Sequence, residues 1–225
     1  MMSEAIVKPI LALSSIRGKS GKDTLIEHIE SSMGLRVFRV AFADILKEEC
    51  SQILCGGPGR AAKLTENSMH TSVKDVPAIE LSIANIASSS YQEWLKDTKG
   101  DEQWLAPRSL RWHLQQYGTE YVREHLGRPN EWLNKGVRQC LIGAGSPNHD
   151  LIVVTDLRLP NEHQMMVKLG AKTIRIVRNW FIPGVDDVPF HQSDIALMAH
   201  PFDALVVNEW GNPAAMVDPI KEFLK

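Results

Sequence analysis

The chain has 225 residues, of which 44% are hydrophobic and 23% are charged, and its formal net charge is -2. This composition excludes disordered and fibrous proteins, and the length suffices for one α/β domain with an insertion. The slightly acidic balance argues against nucleic-acid binding, which relies on a basic face that releases counterions from phosphates.

The first predicted element is a buried strand over Pro9–Leu13. This apolar run is much shorter than the roughly 20 residues of a membrane-spanning helix, and it lacks the basic start and cleavage site of a secretory leader. The three cysteines, Cys50, Cys55 and Cys140, form neither an even disulfide framework nor a CxxC pair. We therefore expect reduced thiols in a cytoplasmic protein that does not bind membranes.

A glycine-containing loop follows this strand and leads directly into a helix predicted over Lys22–Ser31. Successive backbone N–H groups in such a loop point into one concavity, and the helix start adds a partial positive charge. We therefore predict that ATP binds here, with Lys22 contacting the β- and γ-phosphates. The predicted ATP-binding residues are Arg17, Gly18, Lys19, Ser20, Gly21, Lys22, Asp23 and Thr24.

The loop departs from the phosphate-loop pattern G-x-x-x-x-G-K-[S/T] at two positions. Ile16 stands where the first glycine belongs, and Asp23 stands where the metal-binding hydroxyl belongs. Thr24 follows one residue later and is the candidate hydroxyl ligand of Mg²⁺. An alternative is that Ser20 and Asp23 only cap a helix. The strand, loop and helix context favours phosphate binding.

Further apolar runs, separated by helical patterns, predict the rest of an α/β fold. The predicted strands are Val37–Phe42, Leu151–Val154, Thr173–Val177 and Ala204–Val207. The predicted helices are Ile45–Leu54, Pro107–Leu126, Glu131–Ile142, Asn161–Leu169, Ser193–Ala199 and Pro213–Leu224. Continuous apolar strands alternating with helices indicate a doubly wound, three-layer α/β/α fold around a central parallel sheet.

We interpret the chain as one domain, with its core at about 5–55 and 145–225. The segment 56–144 is then a helical insertion. Between Gly56 and Leu105 the periodicity fades, which predicts an insertion or a mobile flap in that stretch.

Acidic residues follow two of the predicted strands, where ligands bind in open α/β sheets. Asp44 follows the second strand and Asp156 the third. An acid in the position of Asp156 holds Mg²⁺ in nucleoside-triphosphate sites. Both residues have the alternative role of a helix N-cap.

Arginines also follow the predicted strands. Arg158 would clamp an acceptor phosphate or pair with Glu162 on a helix surface. Arg178 begins a segment, 178–195, that we interpret as a lid that excludes water. The alternative is a solvated turn in which Ser193 caps the next helix. We assign no catalytic role to His191 in this segment, because phosphoryl transfer to an ionised phosphate needs no base.

Four blocks of sequence, in this order, resemble the bacteriophage deoxynucleoside monophosphate kinases. They are SGKDT at 20–24, AFADILKEE at 41–49, LQQYGTEYVRE at 114–124 and VVTDLRLPNE at 153–162. The resemblance implies a P-loop kinase of adenylate kinase-like architecture that uses ATP and Mg²⁺ to convert deoxynucleoside monophosphates into diphosphates. It implies small-molecule substrates and the host cytoplasm, and leaves a homodimer open.

The resemblance also implies roles for individual residues. The catalytic residues would be Lys22, Arg123, Arg158 and Arg178. The acceptor pocket would include Asp44, Arg111, Gln115, Thr119, Arg123, Trp132 and Arg158, and Asp156 with Thr24 would bind the metal. Trp132 would stack on a base or belong to the core. Two other functions stay open, a kinase of another phosphorylated metabolite such as dephospho-coenzyme A and an ATP-binding regulator without turnover.

Overall fold

The computed structural model describes residues 8–87, 89–187, 189–190 and 192–224, without the side chains of Gln192 and Ser193. Its main elements are β1 (Ile10–Ser14), α1 (Lys22–Met33), β2 (Val37–Val40), α2 (Phe42–Cys55), α3 (Arg60–Met69), α4 (Ser90–Lys99), α5 (Leu110–Gln115), a π-helix (Gln116–His125), α6 (Glu131–Gly145), β3 (Leu151–Val154), α7 (Pro160–Lys168), β4 (Lys172–Arg178), α8 (Gln192–Ile195), β5 (Ala204–Asn208) and a C-terminal 3-10 helix (Pro213–Leu224). The chain divides into two compact units, Met1–Ala41 with Gly136–Lys225, and Phe42–Lys135.

The first unit contains a five-stranded sheet with the strand order β2-β3-β1-β4-β5. All pairs are parallel, and the central strand β1 pairs with β3 and with β4. The residues of β3 are all buried, as expected for a strand covered on both faces. The predicted α/β fold with a central parallel sheet is confirmed.

Helices cover both faces of this sheet. On one face, Leu11, Leu13 and Val153 form a core cluster with α1 and the C-terminal helix. Side chains alternate between the faces of a strand, so Phe38, which follows the cluster-packed Val37, lies on the other face. There Gly143 of α6 lies directly against the Phe38 ring, and α7 packs against β4. The unit is therefore a three-layer α/β/α arrangement.

Three predicted elements differ from the structure. The strand predicted over Val37–Phe42 ends at Val40, and Phe42 begins α2, where its ring is buried. The helix predicted over Ser193–Ala199 is limited to Gln192–Ile195. The stretch between Gly56 and Leu105 contains α3, α4 and four short 3-10 turns, which its weak periodicity did not predict.

The second unit is helical and has an aromatic core. The rings of Tyr117 and Tyr121 lie 5.2 and 5.4 Å from that of the buried Tyr91. The single helix predicted over Pro107–Leu126 is α5 followed by the π-helix, which ends with Leu126 N–H donating to the Tyr121 carbonyl at 2.9 Å. The unit includes α2, because α2 packs against α3 and α5. Its bounds therefore differ from the predicted insertion 56–144.

The cysteines are free thiols, with Cys50 and Cys140 buried and Cys55 exposed. Burial raises the pKa of Cys140 to about 11. None of the helices that the structure describes is both long and apolar enough to cross a membrane.

Candidate functional site

The loop at 15–21 connects β1 to α1 at the carboxyl edge of the sheet. From β1 the chain crosses to β2 on one side of the sheet, whereas from β4 it continues to β5 on the other. The loops after the adjacent strands β1 and β4 therefore lead away from each other. A crevice at such a reversal is where open α/β sheets bind ligands.

The backbone of the loop forms a concavity suited to an anion. Lys19 and Gly21 have left-handed φ angles of 55° and 97°. Within the described part of the chain, the backbone N–H groups of 18–24 donate to no protein acceptor. The hydroxyl of Ser20 is buried and likewise has no hydrogen-bond partner there. Successive unpaired amides in this kind of conformation bind phosphates and other anions.

Lys22 extends back across this loop. Its Nζ donates a hydrogen bond of 2.7 Å to the hydroxyl of Ser15, the first residue of the loop. Burial and the positive charge of Arg158 lower the pKa of Lys22, while Asp23 and Asp156 act in the opposite direction. Asp156 and Arg158, which follow β3, are therefore close enough to Lys22 for their charges to shift its pKa.

Asn208, at the end of β5, holds the loop in place. Its side-chain amide donates a 3.1 Å hydrogen bond to the Ser20 carbonyl, and only 5% of the residue is exposed. A Cβ atom at Gly21 would overlap this amide. Gly21 is thus required both by its φ angle and by the close approach of Asn208. Asn208 was not among the predicted site residues.

A cleft of about 280 Å³ opens over the loop, lined by Lys19, Ser20, Gly21, Lys22, Asp23, Thr24, Trp180 and Asn208. A larger cavity of about 510 Å³ shares Ser20 and Trp180 with this cleft and is lined also by Ile16, Arg17, Ile176, Val177, Arg178, Asn179, Phe181 and Asp186. Most of the predicted ATP-binding residues therefore line one of these two neighbouring spaces.

Arg178 forms the best-defined ion pair of this region. Its two terminal nitrogens lie 2.7 and 2.8 Å from the carboxylate oxygens of Asp186, and one also donates to the Trp180 carbonyl at 2.6 Å. These hydrogen bonds are the main reason that the pKa of Asp186 is lowered to about 2. The guanidinium of Arg17 also donates to the Asp186 carbonyl, at 3.3 Å. Arg178 therefore closes the loop that follows it.

This loop begins the predicted lid, 178–195. Val188 and His191, as well as the side chain of Ser193, lie outside the described residues. The lid function of the segment stays a prediction.

The segment after β3 carries Asp156, Arg158 and the first turn of α7. Glu162 accepts 2.9 Å hydrogen bonds from the backbone N–H groups of Arg158 and Leu159 and so caps α7. The Arg158 guanidinium lies 3.9 Å from Asp194. Glu162 thus caps the helix, whereas the sequence predicted for it only a pairing with the Arg158 side chain.

A metal site would have few protein ligands. The described residues contain no group of three or more His, Cys, Asp or Glu side chains that could hold a metal ion. Mg²⁺ is usually held by one or two carboxylates together with water and substrate phosphates. Asp156, and Thr24 in the first turn of α1, fit that pattern beside the unpaired loop amides.

The second unit carries the other residues predicted for the acceptor. Arg111, Gln115 and Thr119 are exposed along α5 and the π-helix, and Arg111 is paired with Asp75. Arg123, on the same π-helix, has a buried Nε without a partner among the described residues. Asp44 lies in the first turn of α2, where it pairs with Lys47 at 2.7 Å.

Trp132 belongs to the core of the second unit. Only 2% of it is exposed, and its indole N–H donates to the Gly118 carbonyl at 3.2 Å. These contacts favour the interpretation of Trp132 as a core residue. Stacking of Trp132 on a base stays a prediction.

The sequence analysis did not single out His113, which is fully buried in the same unit. Its Nε2 lies 2.8 Å from the Leu81 carbonyl, which only accepts hydrogen bonds, so Nδ1 accepts from the Tyr91 hydroxyl at 3.2 Å. Burial lowers the pKa of His113 to about 4. An isolated histidine on a helix gives no sequence signal for such a role.

The chain matches no protein-family model and no curated protein sequence.

Proposed function

We propose that the protein is an ATP-dependent phosphotransferase of the P-loop kinase class, and that its acceptor is a deoxynucleoside monophosphate. The observation that carries the first part is the concavity at 18–24. Its amides and the buried Ser20 hydroxyl have no protein partners within the described residues, and Lys22 reaches across it. Buried polar groups rarely stay unpaired, so we infer that a bound anion accepts hydrogen bonds from the buried Ser20 hydroxyl and from the loop amides beside it.

The residues around the concavity supply what phosphoryl transfer requires. The reaction spreads negative charge over the moving group, and fixed donors and cations stabilise this charge without reorganising. The loop amides and Lys22 would hold the β- and γ-phosphates of ATP, and Arg158 would bind the acceptor phosphate. Mg²⁺, held by Asp156 and Thr24, would neutralise charge on the phosphates.

Burial supports this role for Lys22. An ammonium group whose pKa is lowered by burial is poorly compensated by the protein alone, and a polyphosphate would supply the missing negative charge. The positive charge of Arg158 nearby increases that deficit. We therefore expect ATP binding to raise the pKa of Lys22.

The acceptor is proposed from the resemblance to the bacteriophage kinases. Arg123 and the exposed polar residues of α5 and the π-helix lie in one of the four similar blocks or next to it. Arg123 has an unpaired buried Nε, which is consistent with a role in binding an anion. The lid role of Arg178 is proposed on the same basis.

A coupled assay with purified protein, ATP and each deoxynucleoside monophosphate tests the reaction and the acceptor together. Lys22→Ala should remove nearly all activity while the far-ultraviolet circular dichroism stays unchanged. Lys168→Ala, which removes an exposed lysine at the end of α7, is the matched control. Full activity of Lys22→Ala would remove the loop from its proposed role.

The same assay separates the other two functions. Transfer only to dephospho-coenzyme A or a similar metabolite would replace the acceptor but keep the reaction class. ATP binding measured by calorimetry, without diphosphate formation from any acceptor, would indicate a regulator.

A further inference from the structure

One tryptophan lines the phosphate cleft, and a second tryptophan lies against it. Trp180 lines both the 280 Å³ cleft over the loop and the 510 Å³ cavity beside it. Trp210 follows β5, and its ring lies 5.4 Å from that of Trp180 at an angle of 74°. We call these two rings the tryptophan corner.

The tryptophan corner joins the half-buried ring of Trp180 to exposed aromatic side chains. Trp210 is 76% exposed, and the neighbouring Phe181 is 62% exposed. Adjacent exposed aromatic side chains of this kind mark ligand or partner sites on soluble proteins. Because Trp180 lines the phosphate cleft itself, the ligand chemistry that fits is the planar part of a molecule whose phosphates occupy the loop.

The backbone on both sides of the corner is already fixed. The Trp180 carbonyl accepts from Arg178 at 2.6 Å, and the Trp210 N–H donates to the side-chain oxygen of Asn179 at 3.1 Å. A ligand that binds against these rings therefore has little backbone to order, which reduces the entropy cost of binding.

We propose that the tryptophan corner binds the base of the donor nucleotide, which stacks on Trp180 and meets the ring of Trp210. The proposal rests on the phosphate-binding role of the loop proposed above. Stacking on an aromatic side chain suits every base, because every base has a π-face. The nucleoside triphosphate is thus held by its phosphates and by the face of its base.

The polar groups beside the corner favour low base selectivity. The amide of Asn208 is used to hold the Ser20 carbonyl, and the side-chain oxygen of Asn179 is used to hold Trp210. Strong discrimination between bases requires side chains that hydrogen-bond to the base edges. With these two groups engaged, we expect ATP, GTP and CTP to bind within about tenfold of one another.

Calorimetric titration of the full chain with ATP, GTP, CTP and inorganic tripolyphosphate tests the proposal. Trp180→Ala should weaken ATP binding by about 5- to 150-fold, the loss expected for one stacked base, and leave tripolyphosphate binding unchanged. Trp180→Phe should restore most of the affinity. Leu205→Ala, which removes a 59% exposed side chain from β5, should change the affinity for neither ligand.

The proposal is wrong if Trp180→Ala weakens both ligands equally, if it leaves ATP binding intact, or if one base is preferred by more than about 100-fold. Its failure is distinct from that of the kinase assignment. A base-dependent loss in a protein that transfers phosphate to no acceptor would refute the kinase and retain the stacking. Absence of binding by both ATP and tripolyphosphate would overturn both.

Discussion

Replacing Gly21 by alanine tests how the loop at 15–21 is held. The φ angle of 97° is left-handed, and an L-residue with a Cβ atom is strained there by about 1–2 kcal/mol. The new Cβ also overlaps the amide of Asn208 and displaces it from the Ser20 carbonyl. Leaving buried polar groups unpaired costs about 1–3 kcal/mol. We therefore expect Gly21→Ala to lower the free energy of unfolding by about 2–5 kcal/mol.

A double-mutant cycle separates the two contributions. Asn208→Ala alone loses the hydrogen bond to Ser20 and should cost about 1–3 kcal/mol. In the double variant this bond is lost only once, and the overlap is relieved. The double variant should therefore be more stable than the two single effects predict by addition, by about 1–3 kcal/mol.

Urea unfolding of the four proteins provides the free energies, and ATP titration provides the functional consequence. Gly18→Ala is the control for stability, because no atom lies within 4 Å of a Cβ atom placed there and its φ angle is not left-handed. It should unfold like the parent protein. Additive effects of Gly21→Ala and Asn208→Ala would show that the two residues do not depend on each other, and would refute the reasoning.

Two further predictions concern the second unit. The pKa of His113 is about 4 in the folded protein and 6.5 when unperturbed, so the unfolded state binds more protons between these values. The free energy of unfolding should then fall by about 3 kcal/mol as the pH decreases from 6.5 to 4. The variant His113→Phe should lack this part of the pH dependence in urea unfolding. If the free energies of unfolding of the variant and the parent protein fall equally with pH, His113 is not the cause. The variant Trp132→Phe loses the hydrogen bond to Gly118, which should lower the free energy of unfolding by about 1–2 kcal/mol without altering which bases are accepted. A changed base preference in the coupled assay would instead support stacking of Trp132 on a base.

Local sequence patterns predicted the parts of the site that depend on neighbouring residues. The apolar run before the loop predicted β1 within one residue at each end, and Gly21 followed by Lys22 marked the start of α1 correctly. The carboxyl ends of β3 and β4 were also located, because a continuous apolar run ending in Asp156 or Arg178 is visible without knowledge of the sheet order.

The parts that depend on distant residues were not predictable in this way. Asn208 acts on Gly21 only because β5 and the loop after β1 meet at the same edge of the sheet. Lys19 has a left-handed φ of 55°, and a lysine in the sequence does not indicate this conformation. Similarly, the spacing of Leu110, Leu114 and Tyr117 suits an ordinary α-helix, and nothing in it indicates the π-helix that begins at Gln116.

The central position of β1 determines when the loop at 15–21 is able to form during synthesis. Ile10 pairs with Ile152 and Leu13 with Ile174, so both neighbours of β1 emerge from the ribosome long after it. Until they do, Leu11 and Leu13 have no sheet to be buried in. The second unit, Phe42–Lys135, is continuous and is complete by then. A nascent chain halted before β4 would thus leave one edge of this apolar strand unpaired, and such exposed strand edges are prone to aggregation until translation resumes.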